Sequence, residues 1–304
     1  MTLFPSLTPV TFSAPAKVNL GLRVVGRRVD GYHLLRSVMT FFPWSDRLTF
    51  TLTDDALIRL ESRPPVTTRP GENLVYRAAE KLQYLAGGRR GVIIRLEKSI
   101  PAAAGLGGGS SDAATTLLAL NRLWGLELSA EALSTMGLAM GADIPVFLGG
   151  HAALAEGVGE RLTPLPHLPV APLLVIHPGV ALSTRLVFER FAGQLTNDES
   201  PISIPDARRG EGLVPLPGND LEPVALALAP VIGEVMEALR RAGAEAVRMS
   251  GSGAAAFGVF ATLEEVASAA EEIGRCYPGW RVASGMTFNE HPFAVEWKSW
   301  SRGV

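Results

Sequence analysis

Ile100-Pro101-Ala102-Ala103-Ala104-Gly105-Leu106-Gly107-Gly108-Gly109-Ser110-Ser111-Asp112 reads as the end of a strand, a glycine-rich loop and the hydroxyl-rich first turn of a helix. The run before it, Gly91-Val92-Ile93-Ile94-Arg95-Leu96, is short and β-branched, as a buried strand is. After it, Ala113, Leu117, Leu120 and Trp124 recur at helical spacing, so a helix is expected to start at or near Ser110. Glycines let backbone amides approach a ligand closely, and a helix start adds free N–H groups and a positive dipole end. Together they make a seat for an anion, phosphate above all. Ser110 and Ser111 could bond phosphate or a phosphate-bound metal, and both are also ordinary N-cap residues. No Gly-Lys-Ser/Thr follows, so this is not a Walker A loop, and the glycine spacing does not fit the dinucleotide fingerprint.

Working outward, the first half of the 304 residues has α+β character. From Lys17 to Val25 the chain alternates, with Val18, Leu20, Leu22 and Val24 on one face and Lys17, Asn19, Gly21 and Arg23 on the other. Further strands are expected near 35–42, 47–53, 56–61 and 91–97, with a helix after Glu72-Asn73. A helix over Ala130–Met140, capped by Ser129 and ended by Gly141, precedes a hairpin built from 151–156 and 160–165.

A proline-rich connection, Pro164 to Pro172, divides the chain into domains at 1–168 and 169–304. Beyond it we expect a strand at 172–177, a helix at 183–193, an irregular stretch at 194–218 and one long apolar helix at 221–241. Strands at 245–249 and 254–260, a helix at 262–274 and a strand at 279–285 follow, an order like a split β-α-β-β-α-β, ferredoxin-like layer. The tail from 288 to 304, with Trp297 and Trp300, has no evident role.

Composition narrows the functional classes. Hydrophobic residues make up 47% and charged residues 19%, with a net charge of −2, which gives no sign of nucleic-acid or membrane-surface binding. No apolar stretch approaches the ~20 residues that span a bilayer. No charged-then-apolar leader opens the chain, and no Ser/Arg-rich leader precedes the motifs, so neither a signal peptide nor a plastid origin is expected. The lone cysteine, Cys276, stands apart from His or Cys and fits a reducing cytoplasm.

Phosphoryl transfer needs phosphates held, charge neutralised and an acceptor hydroxyl oriented. Asp143, in Gly141-Ala142-Asp143-Ile144-Pro145, suits either a helix cap or a general base whose pKa is raised by its apolar setting. Lys17 shares a strand face with Asn19, either solvated or in a site. Ser250-Gly251-Ser252-Gly253 fits a tight hairpin between two strands. Asp30-Gly31-Tyr32-His33 is a turn before an aromatic pair, able to pack or to stack on and read a pyrimidine.

Taken together, Pro101 to Ser111, Gly141-Ala142-Asp143-Ile144-Pro145, Pro15-Ala16-Lys17-Val18-Asn19-Leu20 and the Ser250–Gly253 turn resemble the motifs of the GHMP kinases. That resemblance implies an α+β, two-domain fold, with an N-terminal ribosomal-protein-S5-like domain and a C-terminal ferredoxin-like domain. It implies ATP as co-substrate, wrapped by the loop, with Mg²⁺ expected. It also implies Asp143 as base with Lys17 beside it, Asn19 positioning the substrate, and the Ser250–Gly253 turn closing the cleft. Tyr32 and His33 in this setting resemble the cytidine-specific branch, whose acceptor is the 2-hydroxyl of 4-diphosphocytidyl-2-C-methyl-D-erythritol in non-mevalonate isoprenoid synthesis. There Tyr32 would stack on the cytosine and His33 hydrogen-bond it, while His177, Thr184 and Phe188 would close the other side. Asn219-Asp220-Leu221-Glu222 is similar as well, and the likeness runs to about residue 285. Departures are a slightly longer N-terminus, Asp112 where some members carry Asn, and the tail. The alternatives are another GHMP kinase, for mevalonate, homoserine or a sugar, or a non-catalytic nucleotide-binding protein.

Overall fold

The computed structural model describes residues 8–65, 69–191 and 202–302. Its N-terminal half is organised by two long strands, β1 (Val10–Arg27) and β2 (His33–Thr53), paired antiparallel along almost their whole length. The predicted strands at 35–42 and 47–53 are one strand. It continues past Pro43 because the β1 register shifts between Pro15 and Ala16, which accommodates the irregularity. On its other edge β2 pairs with β5 (Ala153–Gly157) over 35–39 and with β4 (Gly91–Glu97) over 47–53. Strands β3 (Ile58–Arg63) and β6 (Arg161–Pro164) complete six.

Helices α1 (Leu74–Leu85), α2 (Gly108–Leu123), α3 (Ala130–Leu138) and α4 (Ile144–Gly149) belong to this half. Its core joins Phe12, Phe41, Phe50 and Ile94 of the sheet to Leu82, Leu117, Leu120 and Phe147 of the helices. Helix α2 is buried nearly all round, which explains its small side chains.

The second sheet has the order β10-β7-β9-β8, from β7 (Pro172–His177), β8 (Ala246–Met249), β9 (Ala256–Val259) and β10 (Arg281–Met286). This is the strand order of a ferredoxin-like layer, with α5 (Thr184–Arg190) and α8 (Leu263–Cys276) among its helices. The long helix expected at 221–241 is two, α6 (Glu222–Leu228) and α7 (Val231–Arg241), because Pro230 cannot donate to the preceding turn. The predicted irregular stretch falls partly on 192–201, outside the described residues. Helix α9 (Phe293–Arg302) ends the tail.

An apolar seam joins the halves: Ala16, Val18 and Leu20 of β1 are buried in one cluster with Leu173, Val175, Phe257 and Val259 of the second sheet. The other face of β1 carries Lys17 and Asn19, also buried. Cys276 is exposed. Among the described residues no helix is long and apolar enough to cross a membrane.

Candidate active site

The glycine loop enters α2 two residues earlier than the serines suggest. Gly107, at φ +69°, is the residue before the helix, and no side chain caps it. Ser110 and Ser111 therefore lie inside the first turn, and neither is the N-cap. The Ser111 hydroxyl is buried without a hydrogen-bond partner, while Ser110 lines a cleft of about 340 Å³. Pro101 to Gly105 and Gly107 to Ser110 form one wall of that cleft; Lys98, Asp143 and Thr184 lie on it too. Leu106 points into the core instead, and its carbonyl accepts the Lys17 N–H at 2.9 Å, tying the loop to β1.

Lys17 Nζ is 3.7 Å from Asp143 Oδ2, the lysine side chain 4% exposed and the aspartate 39%. Asp143 precedes α4 but makes no capping bond, so the capping alternative fails; it is also less buried than its apolar setting suggested. Lys17 Nζ donates to Asn19 Oδ1. Asn19 Nδ2 donates to Ser37 Oγ at 2.7 Å, which donates in turn to the Gly21 carbonyl at 2.7 Å. This chain fixes the amide so that its oxygen faces the ammonium.

The glycine turn of the second half reaches this point. Ser250 Oγ accepts the Asn19 N–H at 3.1 Å and donates to the Gly105 carbonyl at 3.0 Å. The Ala255 N–H bonds the Ala104 carbonyl at 3.0 Å, and Gly251 lies against Asn19 and Lys17. Asn219 Nδ2 holds the turn through the Met249 and Gly251 carbonyls at 2.9 and 2.8 Å. Ser252 Oγ is 2.8 Å from Thr184 Oγ1.

A second cavity, about 640 Å³, has Tyr32, His33, Thr184 and Phe188 in its wall, with Arg27 and Ala142. Tyr32 is exposed, its ring free on this side, whereas His33 stacks on Phe188 with centroids 5.2 Å apart and an interplanar angle of 26°. Burial, then the charge of Arg27, lowers the His33 pKa, so its imidazole is neutral and offers one donor and one acceptor. His177 stands apart. It is buried at the end of β7, its Nδ1 accepting the Gly179 N–H at 3.2 Å, and it does not line the cavity.

The profile of the GHMP kinases N terminal domain matches residues 73–151, and that of the GHMP kinases C terminal domain matches 207–279. The 4-diphosphocytidyl-2-C-methyl-D-erythritol kinase of Geobacter metallireducens is 45% identical, over 87% of this chain and 94% of its own. That of Nitrosomonas europaea is 47% identical, over 88% and 92%. The chain belongs to the 4-diphosphocytidyl-2-C-methyl-D-erythritol kinase family of GHMP kinases. A crystal structure of such a kinase superposes with a TM-score of 0.77 at 39% identity, covering 92% of this chain and 99% of that one. Homoserine kinase from Cytophaga hutchinsonii, at 19% identity and a TM-score of 0.66 over 95% and 97%, shares the fold.

Within this family member the structure adds residues that sequence reading missed. Lys98, at the end of β4, donates to Asp46 Oδ2 and, at 2.7 Å, to Asp112 Oδ2 beneath the loop. Asp46 Oδ1 accepts the Ser99 and Ile100 N–H groups at 2.6 and 2.8 Å, which anchors the strand end from which the loop departs. The one signal for Lys98 was its place two residues before the loop. Asp46, in mid-strand, had none.

Asp112 thus pairs with Lys98. Burial pushes its carboxyl up to about 8 against the pull of that ammonium, with Asp46 adding repulsion. For Lys98, burial acts downward, but Asp112 and Asp46 outweigh it and raise the ammonium. The folded protein therefore keeps a proton on Asp112 that the unfolded chain releases near pH 4. Stability from this group is fully present below that pH and is lost as pH rises through about 8. Asp112→Asn, which keeps the acceptor and removes the titration, should flatten the fall in Tm across this window. An unchanged slope in thermal melts would show that Asp112 is ionised throughout.

Proposed function

We propose that this chain transfers the γ-phosphoryl group of ATP to the 2-hydroxyl of 4-diphosphocytidyl-2-C-methyl-D-erythritol, in the non-mevalonate route to isoprenoid precursors. The observation that carries the reading is Asp143, 3.7 Å from Lys17 and in the wall of the glycine-loop cleft, with its neighbour Ala142 in the wall of the aromatic cavity and Thr184 in the walls of both. Asp143 takes the proton of the acceptor hydroxyl as its oxygen bonds to the γ-phosphorus and the bond to the β-phosphate oxygen breaks, releasing ADP. Lys17, its ammonium held by Asn19 and buried beside Asp143, attracts the negative charge that develops on the acceptor oxygen. The loop amides and the start of α2 bind the phosphates.

Among the described residues no group of three acidic, His or Cys side chains gathers to hold a metal. Mg²⁺ keeps water and phosphate oxygens as most of its ligands. The Ser110 hydroxyl, in the cleft wall, would be the protein group to hold it. When bound, the ion neutralises phosphate charge.

Tyr32 and Phe188 supply ring faces for the cytosine, and the neutral His33 matches its donor and acceptor edge. The division at 168/169 goes with this reading, the two halves forming the walls of one cleft. So does a cytoplasmic location, where ATP is at hand.

A coupled ADP-release assay tests it. Turnover is expected with the cytidyl substrate and not with mevalonate or homoserine. Phe188→Ala should raise KM for the cytidyl substrate roughly tenfold, the worth of one base–aromatic contact, leaving KM for ATP in place. Turnover of mevalonate instead would overturn the substrate, and no turnover with any acceptor would overturn the kinase reading.

A further inference from the structure

After β10 the chain leaves the second sheet and returns to the first. Between the stretches of β2 paired by β5 and by β4, the free edge is taken by the tail: Phe41 and Phe288 exchange N–H···O bonds, both 3.1 Å. The Asn289 carbonyl accepts the Ala152 N–H, and the His291 N–H reaches the Gly150 carbonyl, each at 2.9 Å. Phe41 is the cross-strand neighbour of Lys17. The tail is therefore bonded to the strand directly behind the catalytic lysine.

His291 lies deeper still. Its Nδ1 accepts the Phe293 N–H at 3.2 Å, so the neutral ring carries its proton on Nε2, which is buried without a conventional partner. The ring stands edge-on to Phe41 (5.5 Å, 90°) and to Phe147 (6.4 Å, 85°). Burial pushes this imidazole down to about 4, which keeps it uncharged near neutral pH. Phe147 sits one turn after Asp143 in α4 and reaches the glycine loop. A Cβ on Gly107 would stand 3.0 Å from its ring and 3.1 Å from Lys17 Cγ. One buried imidazole thus supports both rings that back the pair, Phe41 behind Lys17 and Phe147 below Asp143.

Helix α4 has only six residues and no side-chain cap, so its orientation depends on how its buried side chains pack, and Phe147 is the largest of them. A gap at His291 would let the helix turn and carry Asp143 away from its 3.7 Å approach to Lys17. We infer that His291 is a positioning residue of the active site, setting Asp143 against Lys17 through Phe147 and Phe41. The inference rests on the roles proposed above for those two residues. The far end of the tail is an anchor: Phe293 and Trp297 pack on Phe12, and Arg122 lies over both rings.

The test compares His291→Ala, His291→Phe and Trp297→Ala in the ADP-release assay beside thermal melts. His291→Ala should lower kcat roughly tenfold or more with KM for both substrates near the parent values, since small misplacements act on the chemical step. His291→Phe, which restores a ring, should recover most of that loss. Trp297→Ala should lower Tm and leave kcat. If the alanine variant does not fold, His291→Leu, which fills the space without a flat ring, takes its place. Parental kcat in His291→Ala (or in His291→Leu where it stands in), or a kcat loss in Trp297→Ala proportional to its loss of Tm, would overturn the inference. Absence of turnover in the unaltered protein would overturn the reading of Asp143 and Lys17, and the inference with it.

Discussion

Asp143→Asn is expected to lower kcat by roughly 10²–10⁴-fold, the range that a positioned general base contributes, with KM for ATP and for the cytidyl substrate little changed. The amide keeps the shape of the side chain and its place beside Lys17 but cannot accept the proton of the acceptor hydroxyl. Folding should be almost unaffected, because Asp143 makes no capping bond and its side chain is 39% exposed. Steady-state kinetics with each substrate in turn, beside a thermal melt, separates these effects. Full turnover by the variant would remove Asp143 as the base and leave the kinase assignment standing. A fall in Tm matching the loss of rate would make its role structural.

Gly105→Ala should damage both halves of the site at once. Gly105 sits at φ +74°, in the left-handed region, and a Cβ there would stand 2.1 Å from the Ser250 carbonyl oxygen and 3.1 Å from Gly253 N. These are backbone atoms on the facing loop, so no rotamer change relieves the contact. The left-handed conformation costs a side chain about 1–2 kcal/mol, and overpacking adds about 1–3 kcal/mol. For a chain of this size that corresponds to a fall in Tm of roughly 3–8 °C. Relief comes only if the loops part, breaking the bonds from Ser250 Oγ to Gly105 and from Ala255 to Ala104. KM for ATP should then rise more than KM for the cytidyl substrate, because the loop faces the phosphates. Unchanged Tm and unchanged KM for ATP would show that the two loops do not touch in solution.

Much of the site was legible because its chemistry is local. The glycine loop, Lys17 with Asn19, Asp143 and the Ser250–Gly253 turn each carry their signal within a few residues, and the structure brings them together. Asp46 and Lys98 were missed because each is ordinary in its own strand, and they meet only when β2 and β4 pair. His177 was read by likeness to a motif; the structure buries it at the end of β7, outside the lining of the aromatic cavity. Position 230 showed a proline plainly, yet the apolar run across it concealed the break between α6 and α7.

By itself, then, the sequence determined the elements, the phosphate seat and the residue types that do the chemistry. All of these depend on spacing along the chain, through the periods of strand and helix and the freedom of glycine. Tertiary structure alone decided what stands against what. It settled the seam of the two sheets, the partner of Asp112 and the return of the tail to Lys17 and Asp143. Such contacts join residues distant along the chain. Packing and register set them, and no local period encodes either.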